Sequence, residues 1–323
     1  MMADSTPSAR APLIEQRTAT PPHTLLSCGT APDNEQSPLK PGEVSDRPRV
    51  LTGLDPTKPN SARLHNYILG GKDNYEVDQI AAHRMLAVAP DTRTAVFFSR
   101  HFLLSAVRMA AEAGIRQFVD IGAGMPFSPN VHEVAHKFQP SALVASIDYD
   151  PVVHVHAHAL LSAPGVTPLL ADVRCPGDLI DRCRTEAGVD WAEPVAVLLV
   201  GVLDYVMDDE HPAAILARLR EAMAPSSYLA FTHASTDTDP DLRAISDIDT
   251  AGSSAQVRFR HPYEIARLLD GFEHVGPGVV SVQEWLDDDL PVTRLDILAG
   301  IGRVAQSWQA TKEKATTEKG RLA

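Results

Sequence analysis

The chain has 323 residues, 44% hydrophobic and 22% charged, enough to bury the core of one large domain or two small ones. A net charge of −13 argues against broad contact with nucleic-acid phosphates or anionic lipid, and no run approaches the ~18 apolar residues of a membrane span. Cys28, Cys175 and Cys183 form neither a paired framework nor a zinc-type cluster. They read as reduced thiols which, with no basic-then-apolar leader at the N-terminus, lead us to expect a cytoplasmic protein.

Residues 1–55 are rich in Pro, Ser, Thr and charge without periodicity, and are expected to form a disordered arm; residues 305–323 read as a solvated tail. The folded domain is then 56–304, with 56–93 as a helical lid region. A short helix from Ala62 to Leu69 ends at Gly70 and Gly71, before Lys72-Asp-Asn-Tyr75. Paired glycines before a lysine resemble a phosphate-binding loop. That loop also needs a glycine where Asn66 stands and a serine or threonine where Asp73 stands, so the phosphate reading fails.

Val96, Leu103, Leu104, Val107 and Ala111 stripe a helix that Gly114 is placed to end. Gln117–Ile121 reads as a short buried strand, followed by the turn Gly122-Ala123-Gly124. Ser128-Pro129 is expected to cap a helix carrying Val131, Val134, Ala135 and Phe138. Strands at 142–147, 166–170, 195–200 and 228–232 alternate with helices starting at Asp150-Pro151, near Leu179, at Pro212 and at Pro262. Two late strands, near 272–275 and 294–299, complete seven. This alternation predicts a doubly wound, mostly parallel α/β sandwich.

In such a sheet, ligands bind beyond the carboxyl ends of the strands. The polar residues expected there are Asp120 with Gly122 and Gly124, Asp148 with Tyr149, Asp172 with Val173, and Gly201 with Asp204. Asp148 falls twenty-six residues after Gly122, where a carboxylate can accept both hydroxyls of a ribose. Two features oppose a pyrophosphate at the glycine turn. The third glycine of the dinucleotide fingerprint is replaced by Phe127, and Asp120 stands in the turn itself. A carboxylate there suits an amino-acid ammonium. Adenosine joined to an amino acid without phosphate is S-adenosylmethionine.

The chain resembles the class I, Rossmann-like S-adenosylmethionine-dependent methyltransferases, and within them a bacterial S-adenosyl methyltransferase family of unassigned substrate. The resemblance spans roughly Pro59 to Arg303. It rests on Leu69-Gly-Gly-Lys-Asp-Asn-Tyr75, Gly114-Ile-Arg-Gln-Phe-Val-Asp-Ile-Gly-Ala-Gly-Met-Pro126, Asn130-Val-His-Glu-Val-Ala135, Asp148-Tyr-Asp-Pro-Val-Val153, Ala171-Asp-Val-Arg174, and Pro277-Gly278 before Trp285.

The resemblance implies that Asp120, Gly122, Ala123 and Gly124 face the methionine part of the cofactor. It also implies that Asp148 takes the ribose, Tyr149 lies against adenine, Asp172 with the Val173 amide reads its edge, and Gly201 floors the pocket. Tyr67, Lys72 and Asp73 become candidate contacts from a lid, with Lys72 meeting the cofactor carboxylate; the plainer reading makes Lys72 and Asp73 a surface pair. Many relatives carry histidine where this chain has Asp204, and the Asn/Asp-Pro-Pro-Tyr signature of DNA amino methylation is absent from Gly201-Val-Leu-Asp-Tyr205.

The candidate catalytic residues are Asp204, otherwise a solvated loop carboxylate, and His233, otherwise a partner for nearby backbone. His154 and His158 lie one helical turn apart, but without a third ligand they read as a solvated face, and no metal is expected. The expected activity is methyl transfer from S-adenosylmethionine to a small-molecule acceptor, without nucleic-acid or membrane partners. The rivals are a non-catalytic S-adenosylmethionine-binding regulator and an NAD-dependent oxidoreductase.

Overall fold

The computed structural model describes residues 55–286 and 289–306. The expected N-terminal arm, up to its last residue, lies outside these, as do Cys28 and the tail beyond residue 306; Cys175 and Cys183 are buried thiols.

Three helices precede the sheet: α1 (Ser61–Ile68), α2 (Glu76–Val88) and α3 (Thr92–Glu112). There follow β1 (Gln117–Ile121), α4 (Val131–Phe138), β2 (Leu143–Asp148), α5 (Pro151–Leu160), β3 (Val166–Leu170), α6 (Pro176–Thr185) and β4 (Ala196–Leu199). The chain continues through α7 (Pro212–Ala222), β5 (Tyr228–Ala234), α8 (Pro240–Thr250), α9 (Pro262–Arg267), β6 (Glu273–Ser281), α10 (Val282–Leu286) and β7 (Ile297–Arg303).

The seven strands are ordered β3-β2-β1-β4-β5-β7-β6. The sheet is mixed: β1 to β5 pair in parallel, and β7 runs antiparallel to both β5 and β6. The chain steps outward from β1 to β3, then returns to lay β4 on the other side of β1. This reversal of strand order opens a crevice at the carboxyl ends of β1 and β4. Every β4 residue is buried, as a strand covered on both faces requires. One apolar cluster, including Ile147, Leu199 and Phe231, fills one face of the sheet, and another, including Phe102, Phe118 and Leu198, fills the opposite face. A third cluster lies off the sheet, where Leu64 and Ile68 of α1, Met85 of α2 and Leu242 of α8 pack together as a cap.

Several boundaries differ from the sequence expectation. Asn130, not Ser128, is the cap of α4: Glu133 reaches back to accept from its amide and its side chain, while Asn130 Oδ1 accepts from the Phe127 amide. The last strand starts at Ile297 and extends to Arg303, through Gly300 and Gly302, which weaken the strand signal. A Cβ at Gly302 would stand 2.6 Å from Phe272 Cβ, and one at Gly300 would stand 3.1 Å from Phe231 Cε1, so packing demands both glycines. Strand β6 continues past Gly276-Pro277-Gly278 by a register shift between Val275 and Val280. Trp285 closes that irregularity, donating its indole N–H to the Gly278 carbonyl at 3.0 Å and meeting Phe102 edge-on.

Candidate functional site

A cavity of about 1220 Å³, open to solvent, occupies the crevice beyond β1, β2 and β4 and is roofed by α1 and α3. Asp120, Gly122, Ala123, Gly124, Asp148, Tyr149, Asp172, Val173 and Gly201 all line it. The turn after β1 needs its glycines: Gly122 and Gly124 have φ of 66° and 67°, and a Cβ on Gly122 would stand 2.5 Å from Val202 Cγ2.

The carboxylates differ in how far the protein satisfies them. Asp148 accepts from the Gly124 amide at 3.0 Å and the Asp150 amide at 2.9 Å, one on each oxygen, leaving each a further lone pair. Burial pushes its pKa up to about 6 against those hydrogen bonds. Asp172 is gripped by Arg174, whose Nη2 lies 2.6 Å from Oδ2, and Arg174 also reaches Glu210. Arg174 lies over Tyr149, 5.4 Å from the ring centroid, so one face of that ring is taken.

Asp120 stands apart. It accepts no hydrogen bond among the described residues, and burial pushes it up to about 7, with Asp148 adding to the rise and the Arg100 guanidinium opposing it. Arg100 projects from α3 into the same cavity and donates to the carbonyls of Phe127 and, at 2.7 Å, Pro129; its Nε is buried without a partner. One end of the crevice therefore holds an unsatisfied carboxylate and an incompletely satisfied guanidinium, a complement to a zwitterionic amino acid.

Tyr67, Lys72 and Asp73 are not brought to this cavity. Tyr67 bonds His83 at 2.6 Å, beside the third apolar cluster. Lys72 and Asp73 are exposed on a turn wrapped around the Asn66 side chain, whose Oδ1 accepts from the Asp73 amide and the Asn74 side chain, each at 3.0 Å. Asn66, not the lysine, lines the cavity. Of the candidate catalytic residues, His233 is fully buried and lines neither this cavity nor its neighbour. Its Nδ1 faces the Ala234 carbonyl at 2.8 Å, and its Nε2 accepts from Arg260 at 2.7 Å. Asp204 accepts from the Ala234 amide and borders an adjoining cavity.

Sequence reading overlooked Arg100, His65 and Ser99, which also line the site. Arg100 carried a usable signal: it falls between Val96 and Leu103 on the apolar face of α3, where a charge needs a reason.

Comparison with known proteins identifies the family. The family described as S-adenosyl methyltransferase matches residues 49–306. The crystal structure of a candidate methyltransferase from Thermobifida fusca YX is 35% identical, with a TM-score of 0.71, covering 80% of this chain and 99% of its own. That of a duf574 family protein from Streptomyces avermitilis MA-4680 is 31% identical with the same TM-score, covering 76% of this chain and 98% of its own. No curated protein matches the chain.

Proposed function

The chain belongs to the S-adenosyl methyltransferase family, its cofactor is S-adenosylmethionine, and from that premise we propose how its residues hold the cofactor and what class of acceptor it serves. Asp120 receives the cofactor ammonium and Arg100 its carboxylate. Asp148 takes the ribose through its remaining lone pairs. Tyr149 offers its free face to adenine, whose edge meets Asp172 and the Val173 amide, and Gly201 floors the pocket where the sulfonium must sit. The observation that carries this reading is the unsatisfied Asp120 carboxylate, held half-buried within the influence of Arg100.

When bound, S-adenosylmethionine supplies an activated methyl on a positively charged sulfur, so no protein nucleophile is required. The remaining work of the chain is to orient the acceptor and exclude water. We assign the acceptor to the small-molecule class, since the net charge of −13 opposes broad contact with a phosphate backbone and the crevice is a cavity rather than an open groove.

Calorimetry tests the cofactor assignment. The full chain binds S-adenosylmethionine, Arg100→Met and Asp120→Asn each weaken it at least tenfold, and NAD competes with neither. Unchanged affinity in both variants would move the methionine end elsewhere. Incubation with methyl-labelled cofactor and cell extract separates enzyme from regulator, because a regulator leaves no label on any acceptor.

A further inference from the structure

A second cavity of about 770 Å³, partly open, adjoins the first and falls within the size range of small-molecule sites. The two share His65, Ser99, Gly201 and Tyr205 as a common wall. Its other walls come chiefly from the cap: Leu64 and Ile68 of α1, Met85 of α2, Leu242 of α8, and Val257 and Phe259 beyond it.

The lining is mainly apolar and includes no lysine or arginine. Three of its polar side chains are already engaged. The Ser99 and Thr232 hydroxyls bond each other at 3.3 Å, and Thr232 also accepts the Gly201 amide. One Asp204 oxygen accepts the Ala234 amide and lies 3.3 Å from His233 Nδ1, with Arg260 beyond that ring. Burial, with Asp204 beside it, holds the Tyr205 phenol far above its usual range and therefore protonated. The Tyr205 phenol and the Ser246 hydroxyl have no hydrogen-bond partner among the described residues, and two further groups stand likewise. Thr92 has a buried hydroxyl with no partner, and the His65 imidazole, on the common wall, has no hydrogen-bond partner among the described residues.

We propose that this second cavity is the acceptor site, and that it takes an uncharged, largely apolar small molecule bearing one hydroxyl or N–H that donates to the His65 imidazole. Its role as acceptor site rests on the methyltransferase reading; its ligand class does not. An anion would find no lining cation and would face Asp204. A cation would meet Asp204 only after His233 and Arg260 have answered part of its charge, and would approach Arg100 behind His65. Burial first, and then Arg100, push the pKa of His65 down to about 4, so its ring is neutral at physiological pH and offers a lone pair. That lone pair stands where the two cavities meet, which places a donor of the acceptor beside the cofactor cavity.

The test titrates the full chain with four probes of one shape: 2-naphthol, naphthalene, 2-naphthoate and 2-naphthylmethylammonium. We expect 2-naphthol to bind about tenfold tighter than naphthalene, the worth of one hydrogen bond that would otherwise go unmade, and tighter than either charged probe. His65→Phe removes the tenfold preference while keeping naphthalene affinity; His65→Gln, which retains an acceptor, keeps part of it. Val257→Trp lines only the second cavity, so it excludes every probe and leaves S-adenosylmethionine affinity within twofold. Equal binding of 2-naphthol and naphthalene, tighter binding of a charged probe, absence of binding by both neutral probes, or full probe binding in Val257→Trp would each overturn the proposal. Titration of S-adenosylmethionine alone keeps the two readings apart. If it fails while the probe pattern holds, the methyltransferase assignment falls and the ligand class stands; the reverse result removes only the second cavity.

Discussion

Asp120 shows what a binding site costs at the scale of one residue. Its carboxyl pKa, pushed up to about 7 by burial, lies well above the ordinary 3.8. The folded chain therefore holds that proton more tightly than the unfolded chain, and the Asp120 contribution to stability falls as pH rises from about 4 through about 7. Above pH 7 the full cost of an ionised, half-buried and unpaired group remains. Asp120→Asn removes the charge and most of this cost, so we predict that the unliganded variant melts several degrees higher than wild type at pH 8, an advantage that vanishes below about pH 4. The same variant should lose ~2 kcal/mol of S-adenosylmethionine affinity, the worth of a charged hydrogen bond. A variant that melts lower at pH 8 would show that Asp120 is paired within the protein. Affinity in wild type should also tighten between pH 5.5 and 7.5 as Asp120 ionises to meet a cofactor ammonium that is already charged, and the Asn variant should keep only the shallower slope due to Asp148, whose pKa is about 6. A calorimetric pH series that is flat in wild type would contradict this. Asp120, Asp148 and Asp172 were legible because a parallel strand aims its carboxyl end at the crevice, so a polar residue there is exposed to a ligand by topology alone. Arg100 was not, because its position on α3 is known only once that helix is packed against the sheet.

At the scale of elements, the paired glycines and the residues after them are a joint for the cap. A Cβ at Gly71 would stand 2.3 Å from Asn66 Nδ2, so glycine is what lets the turn close on the side chain that faces the cavity. Seven residues on, Asp78 is fully buried, bonded to the Asn60 amide at 2.9 Å, the Tyr75 amide at 2.9 Å and Arg63 Nε at 2.6 Å. It thus caps α2 and ties it to α1. Asp78→Asn leaves a buried guanidinium without its counter-charge, and we predict a loss of ~3 kcal/mol in denaturant unfolding, or a separate early transition if the cap melts first. A loss below ~1 kcal/mol would mean that Arg63 finds other partners. Helix α8 escaped the sequence reading for a related reason: it buries Leu242, Ser246 and Thr250, and a stripe so short of apolar side chains carries no helical signature. Helix α2 falls within the expected helical lid region, but its bounds were not legible because it packs largely through Ala81 and Ala82. The sheet announced itself through runs such as Val195 to Val200, whereas the cap, which defines the second cavity, is held by small residues and buried polar bonds.

At the scale of the molecule, the sheet and the cap have distinct apolar clusters that meet at α3 and Leu295 and are linked over the crevice by polar contacts. Asn60 Nδ2 donates to Asp150 Oδ2 at 2.8 Å and lies 3.1 Å from Ser254 Oγ, so a single side chain links the start of α1, the loop after β2 and the loop after α8. Ser61 and Ser254 also stand beside the Tyr149 hydroxyl. Because the third cluster is smaller than either sheet cluster, the cap should open as a unit at lower free energy than global unfolding. We therefore predict that amides of α1, α2 and α8 exchange with deuterium well before those of β1 and β4 in the unliganded chain. On the proposed binding mode S-adenosylmethionine fills the cavity that Asn66, Tyr149 and the strand ends line together, so it should slow exchange in the cap selectively, by up to the factor 1 + [L]/Kd, while adding little to strands that already open only globally. Protection should reach α8, which lines the second cavity alone, because it packs on α2. Asn60→Ala cuts the polar link without touching either apolar cluster. It should speed cap exchange in the unliganded protein and leave β4 unchanged. If α1 and α2 exchange as slowly as β4, and the cofactor changes neither, the cap and sheet are one cooperative unit and ligands must enter without its opening.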